Sequence, residues 1–461
     1  MSESTALAGF NRNLMHPWAN LPGLGEDNST SVIVRGEGIY IYDEQGQRLI
    51  DGPAGMWCMQ TGYGRREIAD AVSEQIMTLG YSTGFSVINK PEVELARRIA
   101  SKAPGDLNRV FFTTGGSTAV DSALRLCQLA NNIKGKKTRK HILSRDKAYH
   151  GSTFLAASVT GKERDKSAMD TLKDQVHFLS APCQYYQDKD LSEEAFCDTL
   201  VRELEDKILE LGPENVMCYI AEPVMASGGV IVPPKNYNRR CWEVVKKYDI
   251  VYIADEVVTA FGRLGHWFAS EEVFDIVPDI ITFAKGVTSG YLPLGGYVVS
   301  DRFMAEISGD NAGGNLYSNG YTWSGNPVSC TAALASWDII ENEEILAHVA
   351  EVGPYFQQQL QTLCDNPLVG EVRGMGLMAA VDLYIEAGEG EDQLEKDYAI
   401  AERVDHHCHQ FGLLLRPLIN VCILSPPLII SKTQIDDLVT ALRKGLDLTL
   451  TELRAEGIWR D

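Results

Sequence analysis

The sequence predicts an α/β protein with a large domain built on a mostly parallel seven-stranded sheet and a smaller α+β domain. Between Asn108 and Ser300, seven short runs rich in Val, Ile and Phe alternate with longer amphipathic segments, which is the pattern of βα units. After about Asn326 the pattern changes to longer helices and one more pair of strands. The seven runs are RVFFTT (109–114), KHILSR (140–145), QVHFL (175–179), VMCYIAEP (216–223), IVYIADE (250–256), IITFAK (280–285) and GGYVVS (295–300).

Individual elements and domain boundaries follow from the same patterns. A helix with apolar residues at three- and four-residue steps from Phe196 ends before Gly212-Pro213, and the last helix begins at Ser431 with Gln434 three residues on, a capping box. The hairpin-like segment before position 57 is too short to fold alone, so we expect it to join the small domain. The predicted boundaries are 1–57 for the N-terminal segment of the small domain, 58–325 for the large domain and 326–461 for the C-terminal small domain.

Composition restricts the partners and the compartment. Acidic residues outnumber basic ones by 63 to 42, a net charge of −21, which disfavours nucleic acid and anionic membranes as partners. The ten cysteines show no CxxC spacing, no run approaches 18 apolar residues, and the N-terminus lacks a signal-peptide core, so a cytoplasmic protein with reduced thiols is expected. His406 and His409 have no acidic or thiolate partners at ligand spacing, so no metal site is predicted.

Three charged residues finish the strands of the expected parallel sheet. Glu222, Asp255 and Lys285 each follow at least three apolar positions, and ligands of open parallel sheets bind outside the carboxyl ends of the strands. A single charge in such a place often marks only where a buried strand returns to water. Together, however, they predict a site in which a lysine loses hydration, becomes neutral more readily and can attack a carbonyl.

A candidate anion site follows the first run of the sheet. Gly115-Gly116-Ser117-Thr118 stands between a strand and a helix, where glycines allow close approach and free N–H groups can hold a phosphate. The same residues could also serve as a plain N-cap. No GK[ST] follows, which disfavours nucleoside triphosphate chemistry.

A phosphate pocket, a reactive lysine and a strand-end carboxylate are the groups that pyridoxal 5'-phosphate (PLP) requires. In this hypothesis Lys285 forms a Schiff base with the cofactor aldehyde. Asp255 pairs with the pyridine nitrogen and keeps it protonated, so that the ring can withdraw electrons from the substrate.

The motifs of the chain resemble those of class III aminotransferases of PLP fold type I, close to the omega-amine:pyruvate transaminases. The resemblance runs from Gly52-Pro53 to the last helix, and ADEVVTAFGR followed at this distance by AKG is its most specific part. The motifs in chain order are TTGGSTAVDSALR, AYHGST, AEPV, IADEVVTAFGRLG, TFAKGVTSGYLPLG, GYTWSGNP and LLLRP.

The resemblance implies roles for residues around the cofactor. Gly116 and Ser117 match the phosphate loop of the family. Tyr149 resembles the aromatic residue on one face of the cofactor ring, and Val257 would cover the other face. Glu222 resembles the family glutamate in the hydrogen-bond network beside Asp255.

The resemblance also implies roles for residues nearer the substrate. Thr322 resembles the residue that reaches the phosphate across a dimer interface, which implies a homodimer with shared active sites; whether dimers pair into tetramers stays open. Arg416 resembles the arginine that clamps a substrate carboxylate. Trp57, Phe85 and Tyr149 would line the substrate pocket, although core packing explains Trp57 and Phe85 nearly as well. Thr118 stands where many relatives carry a glutamate, and its hydroxyl is expected to preserve phosphate binding.

The resulting prediction is an aminotransferase that moves an amino group from an amine or omega-amino acid to a keto acid such as pyruvate in two half reactions. Its partners are these small molecules. An aminomutase, a racemase or a decarboxylase of the same fold is the alternative. A non-catalytic PLP-binding module is a third reading, disfavoured by the presence of both Asp255 and Lys285.

Overall fold

The computed structural model of the protein describes residues 14–18, 21, 32–187, 190–383 and 391–459. Part of the predicted N-terminal segment 1–57 therefore lies outside the described residues. The strands are β1 Ile33–Glu37, β2 Tyr40–Asp43, β3 Arg48–Asp51, β4 Leu107–Thr113, β5 His141–Arg145, β6 Val176–Leu179, β7 Val216–Ala221, β8 Val251–Asp255, β9 Ile280–Phe283, β10 Gly295–Ser300, β11 Val369–Met375, β12 Met378–Leu383, β13 Leu413–Leu414, β14 Arg416–Leu418 and β15 Val421–Leu424.

Helices pack against many of these strands. The α-helices are Ala54–Trp57, Arg66–Leu79, Lys90–Lys102, Gly116–Ile133, Phe154–Val159, Glu163–Lys166, Glu193–Leu211, Tyr237–Lys247, Ala269–Glu272, Asp301–Ala305, Pro327–Asn342, Ile345–Gln361, Glu391–Gln410 and Lys432–Ala455. Short 3-10 helices are Gln184–Tyr186, Pro213–Asn215, Lys285–Thr288, Gly309–Ala312 and Thr362–Asp365.

The central sheet has seven strands in the order β4-β10-β9-β8-β7-β5-β6. Strands β6, β5, β7, β8 and β9 are parallel, whereas β10 runs antiparallel between β9 and β4. Every residue of β7, β9 and β10 is buried, as expected for a sheet with helices on both faces. The prediction of a mostly parallel seven-stranded sheet is confirmed, and each of the seven apolar runs contributes one strand.

Two four-stranded sheets accompany the central one. Their orders are β1-β2-β3-β13 and β11-β12-β15-β14. Strand β3 pairs in parallel with β13, with Ile50 opposite Leu413, so the N-terminal segment contacts the C-terminal part of the chain. The predicted strand pair near 369–384 is present as β11 and β12, but sequence analysis missed the three short strands between Leu413 and Leu424.

The predicted capping box of the last helix is confirmed. The Ser431 hydroxyl accepts a hydrogen bond from the Gln434 N–H at 3.2 Å, and the Gln434 side chain accepts one from the Ser431 N–H at 2.9 Å, which is the predicted capping box. All ten cysteines are free, and most are buried. Within the described ranges, every helix is too short or too polar to traverse a lipid bilayer.

Candidate active site

A cavity of about 910 Å³ opens beside the carboxyl ends of the central strands. Asp255 is the last residue of β8, Glu222 follows β7 by one residue, and Lys285 follows β9 by two. The parallel pairing of β7, β8 and β9 brings these three ends to one edge of the sheet. The predicted residues that line the cavity are Trp57, Gly116, Ser117, Tyr149, Glu222, Asp255, Val257, Lys285 and Arg416.

Asp255 is held in place by hydrogen bonds to both of its carboxylate oxygens. One oxygen lies 2.6 Å from Nδ1 of His150, and the other accepts bonds from the Val257 N–H and the Thr282 hydroxyl, both at 3.1 Å. Asp255 and His150 are 4% and 3% exposed. The carboxylate therefore has one fixed orientation inside the cavity.

His150 is a site residue that sequence reasoning missed. Its Nε2 atom is buried and has no hydrogen-bond partner among the described residues, while its backbone N–H donates to the Thr160 hydroxyl at 3.0 Å. The available signal was its place in the YHG motif directly after Tyr149. A buried histidine bonded to a buried aspartate orients that carboxylate, because each group satisfies the other away from water.

Lys285 begins a 3-10 turn in the left-handed backbone region, with a φ of +43°. Non-glycine residues adopt this conformation rarely, and it is often found at functional sites. Burial lowers the pKa of the Lys285 amine, and the nearby Asp255 carboxylate opposes this shift. The amine forms no hydrogen bond or ion pair with any described residue, so its uncharged form is available to react with a carbonyl.

Glu222 supports the segment that carries Tyr149 and His150. Its side chain accepts hydrogen bonds from the Tyr149 N–H at 3.0 Å and the Ala226 N–H at 2.9 Å. Burial raises the pKa of the Glu222 carboxyl, and the negative charge of Asp255 adds to this rise. Glu222 thus lies near Asp255, as the resemblance implies. The two are linked because Glu222 accepts from the backbone of Tyr149, and the next residue, His150, bonds to Asp255.

The glycine-rich turn at the start of helix Gly116–Ile133 is shaped for close approach. A Cβ atom on Gly116 would lie 3.0 Å from a methyl group of Val257, and one on Gly151 would lie 2.4 Å from the Ser117 hydroxyl. The Ser117 hydroxyl accepts a hydrogen bond from the Ser152 N–H at 3.0 Å. The first N–H groups of a helix lack partners within it, so this turn offers donors to an anion.

The Thr118 hydroxyl, which was expected to help bind a phosphate, instead bonds within its own helix turn. The hydroxyl donates to the Gly115 carbonyl at 2.9 Å, which closes the first turn of the helix. A threonine has one hydroxyl hydrogen, so this donor is already engaged within the turn. In this structure the anion donors of the loop are therefore its backbone N–H groups and Ser117.

Arg416 and Trp57 also line the cavity. The Arg416 guanidinium makes no hydrogen bond or ion pair with any described residue, and burial lowers its pKa. Trp57 is 2% exposed, and its indole N–H has no partner among the described residues. An unpaired guanidinium in a cavity is available for a ligand carboxylate, which it can bind with two parallel hydrogen bonds.

Phe85 and Thr322 do not line this cavity in the single chain. The Phe85 side chain is 76% exposed and borders a second cavity of about 360 Å³. Thr322 is exposed, and its carbonyl accepts a hydrogen bond from the Tyr81 hydroxyl at 3.0 Å.

Comparison with known proteins identifies the family. Residues 23–446 match the family model described as aminotransferase class-III. The chain belongs to the class III aminotransferase family. It is therefore a PLP-dependent enzyme that transfers amino groups between small-molecule amines and keto acids.

Relatives of this class III aminotransferase resemble it over most of their length. The putrescine–pyruvate aminotransferase of Pseudomonas aeruginosa is 40% identical over 441 residues, 95% of each chain. The mitochondrial gamma-aminobutyrate transaminase 1 of Oryza sativa subsp. indica is 36% identical over 91% of this chain and 81% of its own length. The crystal structure of an (S)-enantioselective omega-transaminase from Thermomicrobium roseum has a TM-score of 0.91 and 35% identity, covering 97% of this chain and 99% of the other. The predicted fold type I is thereby confirmed.

The described residues of the aminotransferase fit PLP. A Cβ atom on Gly116 would crowd the Val257 side chain at 3.0 Å, so glycine lets the loop pack closely on that residue, and the loop lines the cavity with helix N–H groups that a phosphate can accept from. The fixed Asp255 carboxylate can accept a hydrogen bond from a protonated pyridine nitrogen, and the Lys285 amine is not engaged by any residue in the described part of the chain. Tyr149 and Val257 line the same cavity and offer flat and apolar contacts for the ring.

Proposed function

We propose that this enzyme transfers an amino group from a primary amine or omega-amino acid to a keto acid such as pyruvate by a ping-pong mechanism. The main supporting observation is that the unpaired Arg416 guanidinium shares one cavity with the Lys285 amine. A carboxylate bound by Arg416 would thus stand in the same cavity as the reactive nitrogen. The 40% identity to a putrescine–pyruvate aminotransferase supports the choice of pyruvate.

We assign the cofactor contacts as follows. The backbone of the Gly116 turn and the Ser117 hydroxyl would bind the phosphate, while Tyr149 and Val257 would hold the two faces of the ring. Asp255, oriented by His150, would hold the proton on the pyridine nitrogen. Glu222 would position the segment at Tyr149 through its backbone hydrogen bond.

PLP, when bound, supplies an aldehyde that links to amines and a protonated ring that stabilises negative charge on the neighbouring carbon. Lys285 would provide the covalent attachment in the resting enzyme. Once released, its Nζ atom would accept the proton from the carbon that carries the donor nitrogen, because burial favours the neutral amine. Asp255 would stabilise the transition state by keeping its negative charge beside the ring nitrogen.

Arg416 must serve two different substrates in this scheme. It would bind the carboxylate of the keto acid in one half reaction and turn away from an uncharged donor in the other. Its lack of partners among the described residues supports this, since no hydrogen bond to them has to be broken when the side chain moves. The backbone of residues 413–417 is held in strands β13 and β14, so the movement would be confined to the Arg416 side chain.

We further propose a homodimer with shared active sites, with tetramers as a further possible assembly. Support comes from a set of large apolar side chains that a single chain leaves exposed in two stretches near Phe85 and Thr322. From this face Phe85 and Thr322 of each chain would reach the cavity of the partner, Thr322 toward the phosphate. The exposed set is Ile76, Met77, Leu79, Tyr81, Phe85, Val87, Ile88, Val93, Leu316 and Trp323.

Two further proposals concern organisation. We retain the domain boundaries 1–57, 58–325 and 326–461, supported by the pairing of β3 with β13. We also place the enzyme in the cytoplasm, which is supported by its ten free cysteines.

The function is tested by adding an amine to the holoenzyme without any acceptor. The proposal expects the visible absorbance of the resting enzyme to disappear, with release of one carbonyl product per active site and recovery on addition of pyruvate. Putrescine, β-alanine, taurine and 1-phenylethylamine form the donor panel. An absorbance that returns without an acceptor would instead indicate a racemase or decarboxylase.

The shared site is tested by co-expressing two inactive variants, Lys285→Ala and a Thr322→Lys variant. A shared site predicts that mixed dimers regain one intact site and a fraction of the activity. Independent sites predict no recovery.

A further inference from the structure

Lys285 stands in a turn whose backbone is unfavourable at both ends. Lys285 and Ser289 have φ values of +43° and +52°, in the left-handed region that non-glycine residues rarely adopt. Such residues keep this conformation only where surrounding contacts hold them. Two of these contacts come from Gln60 and Thr61, which follow the cavity residue Trp57 closely in the chain.

Gln60 packs directly against the residue after Lys285. A Cβ atom on Gly286 would lie 2.4 Å from Nε2 of Gln60, so a larger residue would have to displace this side chain. The φ of Gly286 lies outside the left-handed region, so the contact with Gln60, not the backbone conformation, favours glycine there. At the other end of the turn, the Ser289 hydroxyl accepts a hydrogen bond from the Thr61 N–H at 2.7 Å.

Arg263 holds the Gln60 side chain in place. Both residues are fully buried, and Nη2 of Arg263 donates to Oε1 of Gln60 at 2.6 Å. Nη1 of the same guanidinium donates to the backbone carbonyls of Leu377 and Pro426 at 2.9 and 2.6 Å. The Gln60 amide also donates to the Phe261 carbonyl at 3.3 Å. Because both ends of its amide group are bonded away from water, the Gln60 side chain is held in one orientation.

We propose that Gln60 is a positioning residue for Lys285: held by Arg263, it fixes the turn so that the Lys285 amine reaches the cofactor aldehyde. The amine forms no hydrogen bond with any residue that the structure describes, so its position depends on the backbone that carries it. Gln60 does not line the cavity and would act only through the turn. The inference rests on the proposed function for the role of Lys285 as the attachment point, and it adds no chemical step.

The test separates covalent attachment from the other cofactor contacts. Saturating PLP is added to the full-length enzyme freed of cofactor, samples are reduced with borohydride at intervals, and the label on the peptide that contains Lys285 is quantified. Calorimetry gives the affinity for pyridoxamine 5'-phosphate, which lacks the aldehyde and cannot attach to the lysine. Gln60→Ala should slow attachment about tenfold and change this affinity less than about twofold, because only the lysine is displaced. Gln60→Glu, which keeps the acceptor for Arg263, should retain most of the rate.

Gly286→Ala tests the same contact from the other side and leaves Gln60 and Arg263 unchanged. It too should slow attachment about tenfold, since the new methyl group would displace the Gln60 side chain. The double variant of Gln60→Ala and Gly286→Ala should be no slower than the slower single variant, because both changes act on one contact.

Gln357→Ala is the matched control. A Cβ atom on Gly374 would lie 2.6 Å from Oε1 of Gln357, so this glutamine also packs on a glycine. Its amide donates to the carbonyls of Gly376 and Met378, and it does not line the cavity. The variant should lower thermal stability and leave both the attachment rate and the affinity for pyridoxamine 5'-phosphate unchanged.

Three results would each overturn the inference: attachment in Gln60→Ala within about twofold of the wild type, an equal loss of affinity for pyridoxamine 5'-phosphate, or slowing factors that multiply in the double variant. A wild-type enzyme that carries no label on Lys285 would overturn the assignment of that lysine and the inference with it. A failure of the proposed attachment point is thereby distinguished from a failure of the positioning role alone.

Discussion

The two ends of the cavity differ in how firmly their charged groups are held. At the sheet end, Asp255, Glu222 and His150 are no more than 4% exposed, and both carboxylates have every oxygen hydrogen-bonded. Elsewhere in the cavity, Arg416 forms no hydrogen bond or ion pair with any described residue, and Lys162 pairs with Asp165 at 3.3 Å. The difference agrees with the proposed roles, in which the firmly held groups bind a cofactor that stays in place and Arg416 binds substrates that change with each half reaction.

The largest expected effect is at the fixed end. Asp255→Ala should lower kcat at least about a thousandfold, because no charge would then keep the ring nitrogen protonated. Steady-state rates and PLP affinity measured on the same preparation would separate chemistry from cofactor loss. Thr282→Val, which removes a single hydrogen bond to Asp255, is the control and should change kcat only a few-fold. A similar loss in both variants would contradict a special role for the charge.

The next largest effect is expected at Arg416. Arg416→Leu should raise KM for pyruvate about a hundredfold, the value expected for loss of a paired guanidinium–carboxylate contact. The half reaction with 1-phenylethylamine should be nearly unchanged, since this donor has no carboxylate. Arg403→Leu removes an exposed arginine paired with Glu456 and is the matched control. Equal losses for pyruvate and the amine would show that Arg416 is a structural residue.

A smaller effect is expected from the histidine behind the fixed carboxylate. His150→Phe should lower kcat and weaken PLP binding about tenfold, because Asp255 would lose a buried hydrogen-bond partner. His150→Asn, which can still donate a hydrogen bond, should recover part of both. A purely structural role would instead appear as a loss of thermal stability without a change in PLP affinity, and Asn would give no rescue.

The smallest effect is expected at the start of the phosphate-loop helix. Thr118→Ala should lower the free energy of unfolding by about 1 kcal/mol, since it removes the hydroxyl that closes the first turn. PLP affinity should remain unchanged, and Thr118→Ser should restore the stability. A clear loss of PLP affinity in Thr118→Ala would show that the hydroxyl contacts the phosphate after all.

The fixed end was predictable from the sequence because it depends on local patterns. Apolar runs that end in Glu222, Asp255 and Lys285 define buried parallel strands, and parallel strands necessarily bring these ends together. The glycines of the phosphate loop are likewise visible in the sequence. His150 was missed because a histidine inside a motif gives no sign of which strand end it faces.

The remaining residues of the candidate site were less predictable because they come from loops and from elements far apart in the sequence. Lys162 follows the short helix Phe154–Val159, and its contact with Ser227 forms only when the chain folds. In the sequence, a lysine in such a segment resembles any surface lysine. Arg416 was found by resemblance to a motif, since the strand that carries it is only three residues long. Phe85 and Thr322 do not line the cavity of one chain, and their proposed role depends on a second subunit that no single-chain pattern describes.

Borohydride trapping tests the central assignment most directly. The holoenzyme is reduced, digested and mapped by mass spectrometry, with Lys285→Ala treated in the same way. The account predicts that the phosphopyridoxyl group is found on the peptide that contains Lys285 and that the variant carries no label. A label on another lysine of the wild type, or no label at all, would contradict it.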